Sequence, residues 1–378
     1  MKAIVLGCGL VGGLIAKDLA KDEDFQVTVA DIDEGKLNKL TKEAEISGIK
    51  ADLSDSSDIK KIVADKDIVI GAVPGFLGFN MLRSVIEAGK NIIDISFMAE
   101  DTLSLDELAK KKGVTAVVDM GVAPGMSHMI VGYVDSLMDE TKSATILVGG
   151  LPVIREWPYE YKIAWSPKDV IEEYIRPARL IESGKIVEKP ALSDLELVNL
   201  PRIGTLEAFN TDGLRSLLYT IKIPSMKEKT LRYPGYAEKM RMLRETGFFS
   251  DTPIEVGGVK VKPIDITSKL LFPKWELEEG EEELTVMRVI VQGEKEGKRL
   301  RYTYDLLDYY DKNEKATSMS RATGFPCAIM ARLVAQGEFQ YPGVCPPEYI
   351  GREHKVYQKV IKELEKRNVF YKENIVGI

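Results

Sequence analysis

The chain has 378 residues, more than one ordinary core accommodates, so two domains are expected. Hydrophobic residues make up 44% and charged residues 29%, a globular composition, and the net charge of −7 comes from both signs interspersed. No Lys/Arg stripe and no aromatic-basic patch occurs, which argues against a nucleic-acid binder, and no apolar run is long enough to span a bilayer. No signal-peptide pattern opens the chain, so a cytoplasmic protein is expected. Cys8, Cys327 and Cys345 lack CxxC spacing, and there are two histidines, so neither a disulfide framework nor a metal site is expected.

Lys2–Leu6 is an apolar run of strand length, and Val11, Leu14, Ile15 and Leu19 recur as one face of a helix. Between them lies Gly7-Cys8-Gly9-Leu10-Val11-Gly12, so GxGxxG sits between a strand and a helix, the context that makes it a dinucleotide fingerprint. Gly7 allows a tight turn, Gly9 lets a pyrophosphate approach, and Gly12 lets the helix pack close to the strand. The N–H groups that open the helix at Leu10 and Val11 then face the phosphates. Gln26–Asp31 reads as the second strand, and Asp31 follows Gly12 at close to the spacing of a carboxylate that binds a ribose 2′-hydroxyl. That carboxylate would repel a 2′-phosphate, and Ile32 stands where an Arg would suit NADP. NAD is therefore the expected cofactor.

Glu34–Lys42 reads as a charged helix and Ile49–Asp52 as a third strand, with Asp52 and Leu53 where an adenine edge is held. Ser56 and Asp58 sit near the start of the next helix. Asp67–Pro74 is a nearly continuous apolar strand, and a helix follows from Gly75. Asn91–Asp94 and Thr115–Asp119 are the fifth and sixth strands, with helix over Leu103–Lys111 between them. This alternation predicts an α/β, Rossmann-type doubly wound parallel sheet over residues 1–125.

The period then changes, and residues 126–317 read as an α+β domain with a mixed or antiparallel sheet, serving substrate binding and dimerisation. Its expected elements are a strand at Ala144–Val148, a hairpin of Thr285–Val291 and Leu300–Tyr304, and helices near Lys168–Glu182, Tyr236–Thr246 and Pro263–Leu271. Ser318–Gly337 and Tyr349–Lys366 read as helices, and the segment 318–378 is expected to complete the first domain.

In a doubly wound sheet the ligand lies beyond the carboxyl ends of the strands. That singles out Val73-Pro74-Gly75, Ser96-Phe97 and Asp119 to Gly125, and a cleft between domains is the expected substrate site. Asp119 fits either a general base or a turn-forming Asp. His128 fits either a catalytic or a packing role, and His354, among Arg352, Glu353 and Lys355, reads as solvated.

Longer motifs occur in order along the chain: the glycine fingerprint, Asp119–Met126, Gly149–Val153, Gly204–Thr211, Thr230–Tyr236, Met319–Thr323 and Gly343–Glu348. Together they resemble the saccharopine reductase and lysine 6-dehydrogenase family over nearly the whole length. Saccharopine reductases carry an acid in the motif Gly-Leu-Asp-Pro-Gly, where Ala123 stands here, and an Arg where Thr211 stands. Arg232 is kept. A substrate with extra carboxylates would find them unpaired, whereas Arg232 suits a single α-carboxylate. The resemblance therefore implies NAD-dependent removal of the 6-amino group of L-lysine, giving the semialdehyde and its cyclic imine. Phe97, Ala123, Thr211 and Arg232 would touch the substrate, and the protein would be a homodimer. Two other readings stay open: a saccharopine or carboxynorspermidine-type reductase using NADPH, and a non-catalytic NAD-binding regulator.

Overall fold

Short, buried apolar runs alternate with helices through the first part of the chain, the pattern of a parallel sheet covered on both faces. In the computed structural model, which describes every residue except 279, these runs are β1 (Lys2–Leu6), β2 (Gln26–Asp31), β3 (Ile46–Lys50), β4 (Ile68–Gly71), β5 (Ile92–Asp94) and β6 (Thr115–Val117). The helices that follow each are α1 (Leu10–Ala20), α2 (Glu34–Glu43), α3 (Ser56–Val63), α4 (Gly75–Glu87), α5 (Asp106–Lys112) and α6 (Met126–Leu137). Asp33 and Asp55 start α2 and α3 by accepting from two main-chain N–H groups each.

The chain continues through β7 (Glu140–Pro152), α7 (Pro167–Ile175), β8 (Ala178–Glu182), β9 (Lys185–Lys189), β10 (Glu196–Leu200), β11 (Gly204–Asn210), the short α8 (Leu217–Thr220) and β12 (Met226–Arg232). Then come α9 (Tyr236–Thr246), the ribbon β13 (Ile254–Val256) and β14 (Val259–Val261), α10 (Pro263–Trp275), β15 (Glu283–Lys295) and β16 (Lys298–Tyr309). It closes with α11 (Ser318–Ala335), β17 (Gly343–Cys345), α12 (Pro347–Arg352), α13 (His354–Lys366) and β18 (Tyr371–Gly377).

Two compact units result, Met1–Met138 with Met319–Phe370, and Asp139–Ser318 with Tyr371–Ile378. The first unit holds a seven-stranded sheet in the order β17-β6-β5-β4-β1-β2-β3, every pair parallel. From β1 the order runs one way through β2 and the other way through β4, so the switch point lies between β1 and β4. Ile4, Leu6, Ile59, Met81, Leu82 and Val85 are packed together on one face of this sheet. The buried Asp18 of α1 accepts from Arg332 of α11 at 2.7 Å and from Arg367 at 2.9 Å, which ties the returning segment to the first helix.

The second unit holds a nine-stranded mixed sheet, with β10-β11-β12-β7-β15-β16-β18 in line, β8 pairing with β12 and β9 pairing with β8. β12 runs parallel to β7, and its neighbour β11 is antiparallel. One face carries Leu147, Leu206, Leu231 and Leu284. Phe209 lies on the other, under Tyr161, Tyr174, Tyr236, Met240 and Trp275. The α/β class with a parallel first sheet and a mixed second sheet is thus as expected.

Several local expectations are corrected. The helix expected to reach Glu182 ends at Ile175, because Arg176 precedes Pro177 and is held extended at φ −66°, ψ 126°. Residues 178–182 are β8 instead. The third strand begins at Ile46 and stops at Lys50, and the sixth stops at Val117, before Asp119 turns to a left-handed φ of 53°. The helix expected over Tyr349–Lys366 is two helices, interrupted at Glu353 with ψ 81°. The boundary expected after residue 125 falls at 138, because α6 packs on α12 within the first unit. Nor does all of 318–378 belong there: residues 371–377 form β18 and pair with β16 in the second sheet.

Candidate active site

At the switch point the main chain is drawn tight. Gly7 has φ +113°, and a methyl group there would lie 2.3 Å from the Ala72 carbonyl oxygen. A methyl on Gly12 would lie 2.2 Å from the Gly7 carbonyl oxygen. By contrast nothing lies within 4 Å of where a side chain on Gly9 would begin, so that side of the loop is open. Gly9 caps α1 without any side-chain bond, and the first turn holds no acid. A helix start without a cap leaves N–H groups and the positive dipole end for an anion, so the loop fits a dinucleotide pyrophosphate.

Asp31, at the end of β2, bends back onto this loop. One carboxylate oxygen accepts from the Cys8 N–H at 2.6 Å, the other from Asp33 N–H at 2.9 Å. Ile32 beside it is 65% exposed, Leu10 and Pro74 are also exposed, Val11 is half-buried and Val73 buried. Near Asp31 the lysines already face acids: Lys36 lies 3.9 Å from Asp33, and Lys50 lies 3.1 Å from Glu34. Burial and the Asp31 charge push the Cys8 thiol up to about 11, so no thiolate forms in the loop at neutral pH. Asp52 is exposed and accepts from both the N–H and the hydroxyl of Ser54, which hold its carboxyl below the usual range. Leu53 next to it is buried.

The remaining strand ends are closed. The Ser96 hydroxyl donates to buried Asp94 at 2.9 Å, and its N–H donates to the other oxygen at 3.1 Å. Phe97 and Ala123 are half-buried, with Ala123 preceding a cis bond to Pro124. Asp119 is 3% exposed. His128 is wholly buried on α6, its Nδ1 3.0 Å from the Ser127 hydroxyl. His354, expected to be solvated, is exposed but engaged: Nε2 lies 2.8 Å from the Ser136 hydroxyl, and the ring meets Tyr133 edge-on.

The substrate candidates Thr211 and Arg232 lie in the second unit, on one cluster. Alternation along β12 puts Glu228, Thr230 and Arg232 on the face that carries Phe209, while Lys229 and Leu231 point the other way. Lys229 bonds to the Asp194 carbonyl and pairs with Glu196. Arg232 is 3% exposed under the rings of Tyr161, 4.5 Å from its centroid, and Tyr236, at 5.8 Å. Its Nη1 donates to its neighbour Leu231's carbonyl at 2.9 Å. Among the described residues Nη2 makes only long contacts, 3.3 Å to Glu173 and 3.4 Å to the Tyr161 hydroxyl, and Nε has no partner. Thr211 donates to Glu228 at 2.6 Å and lies 2.8 Å from the Thr230 hydroxyl. Burial raises Glu173 to about 7, against the pull of Arg232. Burial, with Glu173 and Asp212 nearby, raises Glu228 to about 8 in spite of the Thr211 bond.

Sequence reasoning missed Glu173, Glu228, Tyr161 and Tyr236. The one signal for Glu228 was the alternation Glu228-x-Thr230-x-Arg232, which becomes a face only once β12 is recognised as a strand. Among the described residues no group of His, Cys, Asp or Glu is placed to hold a metal ion, and no helix is long and apolar enough to cross a membrane.

Comparison with known proteins matches both units. The family model described as Saccharopine dehydrogenase NADP binding domain matches residues 3–117, and Saccharopine dehydrogenase C-terminal domain matches residues 121–369. Saccharopine dehydrogenase (NADP(+), L-glutamate-forming) of Schizosaccharomyces pombe is 25% identical, over 99% of this chain and 98% of its own. Carboxynorspermidine synthase of Vibrio cholerae is 24% identical over 91% of each chain. The apo saccharopine dehydrogenase (L-Glu forming) of Saccharomyces cerevisiae shares the fold, with a TM-score of 0.81 at 21% identity over 99% of both chains.

Proposed function

The chain belongs to the saccharopine dehydrogenase family of oxidoreductases, and from that premise we propose that it is an NAD-dependent amine dehydrogenase acting on the 6-amino group of L-lysine. The observation that carries this reading is Arg232. A guanidinium buried under two tyrosines, with Nε unpartnered and Nη2 held only at 3.3 and 3.4 Å, has donors to give to one carboxylate. Thr211 offers no second cation, since its hydroxyl is bonded to Glu228 and Thr230. One clamp suits one α-carboxylate, as lysine has, rather than the several of a larger conjugate.

Support for NAD over NADP comes from Asp31. Its carboxylate faces the glycine loop, and the nearby lysines are paired with acids, so a 2′-phosphate would meet negative charge without a free partner. Gly7, Gly9, Leu10, Val11 and Gly12 would hold the pyrophosphate and Asp31 a ribose. Asp52 and Leu53 would lie at the adenine, with Val73, Pro74 and Ser96 toward the other end. When bound, the nicotinamide supplies the acceptor for the hydride that leaves the ε-carbon of lysine. The ε-ammonium must first lose a proton, because the nitrogen lone pair assists hydride departure. Water then adds to the iminium, ammonia leaves, and the semialdehyde cyclises with its own α-amine.

The NADP(+)-named saccharopine dehydrogenase and the carboxynorspermidine synthase among the relatives favour a second reading, reductive amination of a saccharopine or carboxynorspermidine type. An NADH- and NADPH-formation assay across lysine, ornithine, saccharopine and carboxynorspermidine separates the two. Lysine with NAD is the expected pair. Faster turnover of saccharopine, or a preference for NADP, would overturn the proposal.

A further inference from the structure

We propose that Glu228 takes the proton from the substrate's ε-ammonium, with Arg232 holding the α-carboxylate four residues further along the same face of β12. The inference rests on the amine-dehydrogenase reading and assigns the base that reading needs. At about 3.3 Å per strand residue, positions 228 and 232 lie about 13 Å apart at their Cα atoms. Extended lysine spans about 7.5 Å from carboxylate carbon to ε-nitrogen, six bonds that each advance about 1.25 Å, a length shorter than the Cα separation of the two side chains that would meet its ends.

The environment of Glu228 is that of an acid built without its cation. Its side chain is 3% exposed and accepts from the Thr211 hydroxyl at 2.6 Å and from the Gly213 N–H. The approach of Gly213 is close enough that a methyl group there would lie 2.5 Å from the Glu228 carboxylate. No Lys or Arg among the described residues forms an ion pair with it. Burying an unpaired carboxylate is costly, and structural carboxylates of this kind are normally paired. The surrounding charges are otherwise engaged. Asp212 is gripped by Arg179 at 2.8 and 2.9 Å, and Glu207 accepts from the Gly235 and Ala237 N–H groups. From α7, Glu173 leans toward Arg232, with Asp169 and Arg176 acting on it in opposite senses. Tyr161, Tyr174 and Tyr236 face the cluster as neutral phenols, all raised above 10 by burial. An ammonium entering this layer thus finds Glu228 as its missing counter-ion.

The proton balance closes. The N–H bond of the ε-ammonium breaks and an O–H bond forms on Glu228. The hydride, with both electrons of the C–H bond, would then be accepted by the nicotinamide of bound NAD⁺, leaving the substrate as an iminium. Hydrolysis releases ammonium and aldehyde, so the proton on Glu228 is the single proton the overall reaction delivers to solvent. Burial raises the carboxyl to about 8, so the base is mostly protonated at neutral pH and kcat/KM for lysine should rise with pH through about 8.

The test compares wild type, Glu228→Gln and Thr211→Val. The amide keeps an acceptor for Thr211 but cannot take the proton. Glu228→Gln should lower kcat/KM for lysine about 100-fold or more, abolish the rise through pH 8, and leave the circular dichroism and NADH affinity unchanged. Thr211→Val removes a donor to the carboxylate and should move the rise to higher pH. Independently of turnover, lysine titrated calorimetrically into the NADH-saturated protein at pH 7, in two buffers of different ionisation enthalpy, should release a proton from wild type and none from Glu228→Gln. Should Glu228→Gln not fold, the Thr211→Val profile decides. Wild-type oxidation of lysine with unchanged pH limbs in the variants would overturn the role of Glu228 alone. Failure of wild type to oxidise any of lysine, ornithine or saccharopine would overturn both this inference and the reading beneath it.

Discussion

At the end of β1 the polar groups are main-chain N–H groups and a single carboxylate, and glycines keep side chains away. On the inner face of β12 they are side chains: Arg232 and Glu228 of the strand, joined by Glu173 from α7, screened by tyrosines and buried beneath helices. The first region handles charge by leaving a backbone open to it, with the groups at Gly9 and Asp31 near solvent. The second stores charge in a dry layer, where Glu173 and Glu228 are pushed to about 7 and about 8 because the ionised form is poorly solvated. A nucleotide phosphate is permanently charged and needs only geometry, whereas an amine must change its protonation state to react. The difference between the regions therefore follows the difference between their proposed ligands.

The largest effect that would break this comparison is expected at Gly7. A methyl group 2.3 Å from a main-chain oxygen, at φ +113°, forces the two strands apart, and Gly7→Ala should cost about 4 kcal/mol or more. NADH fluorescence titration together with circular dichroism should show lost nucleotide binding or a disrupted first unit. Near-wild-type titration would mean the loop tolerates a side chain and is not built around close backbone approach.

Next in size is Arg232. Arg232→Ala should reduce kcat/KM for lysine by about 2–5 kcal/mol, the range for truncating a buried charged partner. NADH affinity should stay as in wild type, and Arg232→Lys should recover part of the loss, since an ammonium cannot form the planar fork. Cadaverine, without the carboxylate, should be a poor substrate for wild type and indifferent to the change. Equal oxidation of cadaverine and lysine by wild type would remove the clamp from the account.

A smaller change separates the two cofactors. Asp31→Ser with Ile32→Arg removes a negative charge and adds a positive one where a 2′-phosphate would lie. The preference in kcat/KM should move toward NADP by about 2 kcal/mol. A wild type that already prefers NADP in steady-state kinetics would show that Asp31 does not face the ribose.

The remaining expected effect is on stability rather than on binding or turnover. Glu228 has a folded value of about 8 against an ordinary 4.5, so its contribution is present below the ordinary value and is lost as pH rises through about 8. Between pH 6 and pH 9 the Tm of wild type should therefore fall more than that of Glu228→Gln. Parallel Tm curves would show that Glu228 is solvated in the folded state, contrary to its packing against Gly213.

Much of the first unit was legible because its signals are local. A strand, three glycines and a helix face lie within twenty residues, and the turn chemistry requires those residue types wherever they occur. Its sheet order was not legible in full. β17 joins β6 from more than two hundred residues away, and Asp18 meets Arg332 and Arg367 across more than three hundred. Sequence spacing carries no record of such pairings.

In the second unit the sequence by itself determined the long hairpin β15–β16 and helix α9, whose periods are regular. It also placed Arg232 among the substrate candidates through a motif. Three things were decided only by tertiary structure. Pro177 ended α7 early and released β8; the open edge of β16 captured residues 371–377 as β18; and the helices α7, α9 and α10 closed over one face of β12. That last step gave Glu173 and Glu228 their character. A glutamate in a sequence is an ordinary acid, and it becomes a proton acceptor near neutral pH only when folding removes its water and withholds its cation.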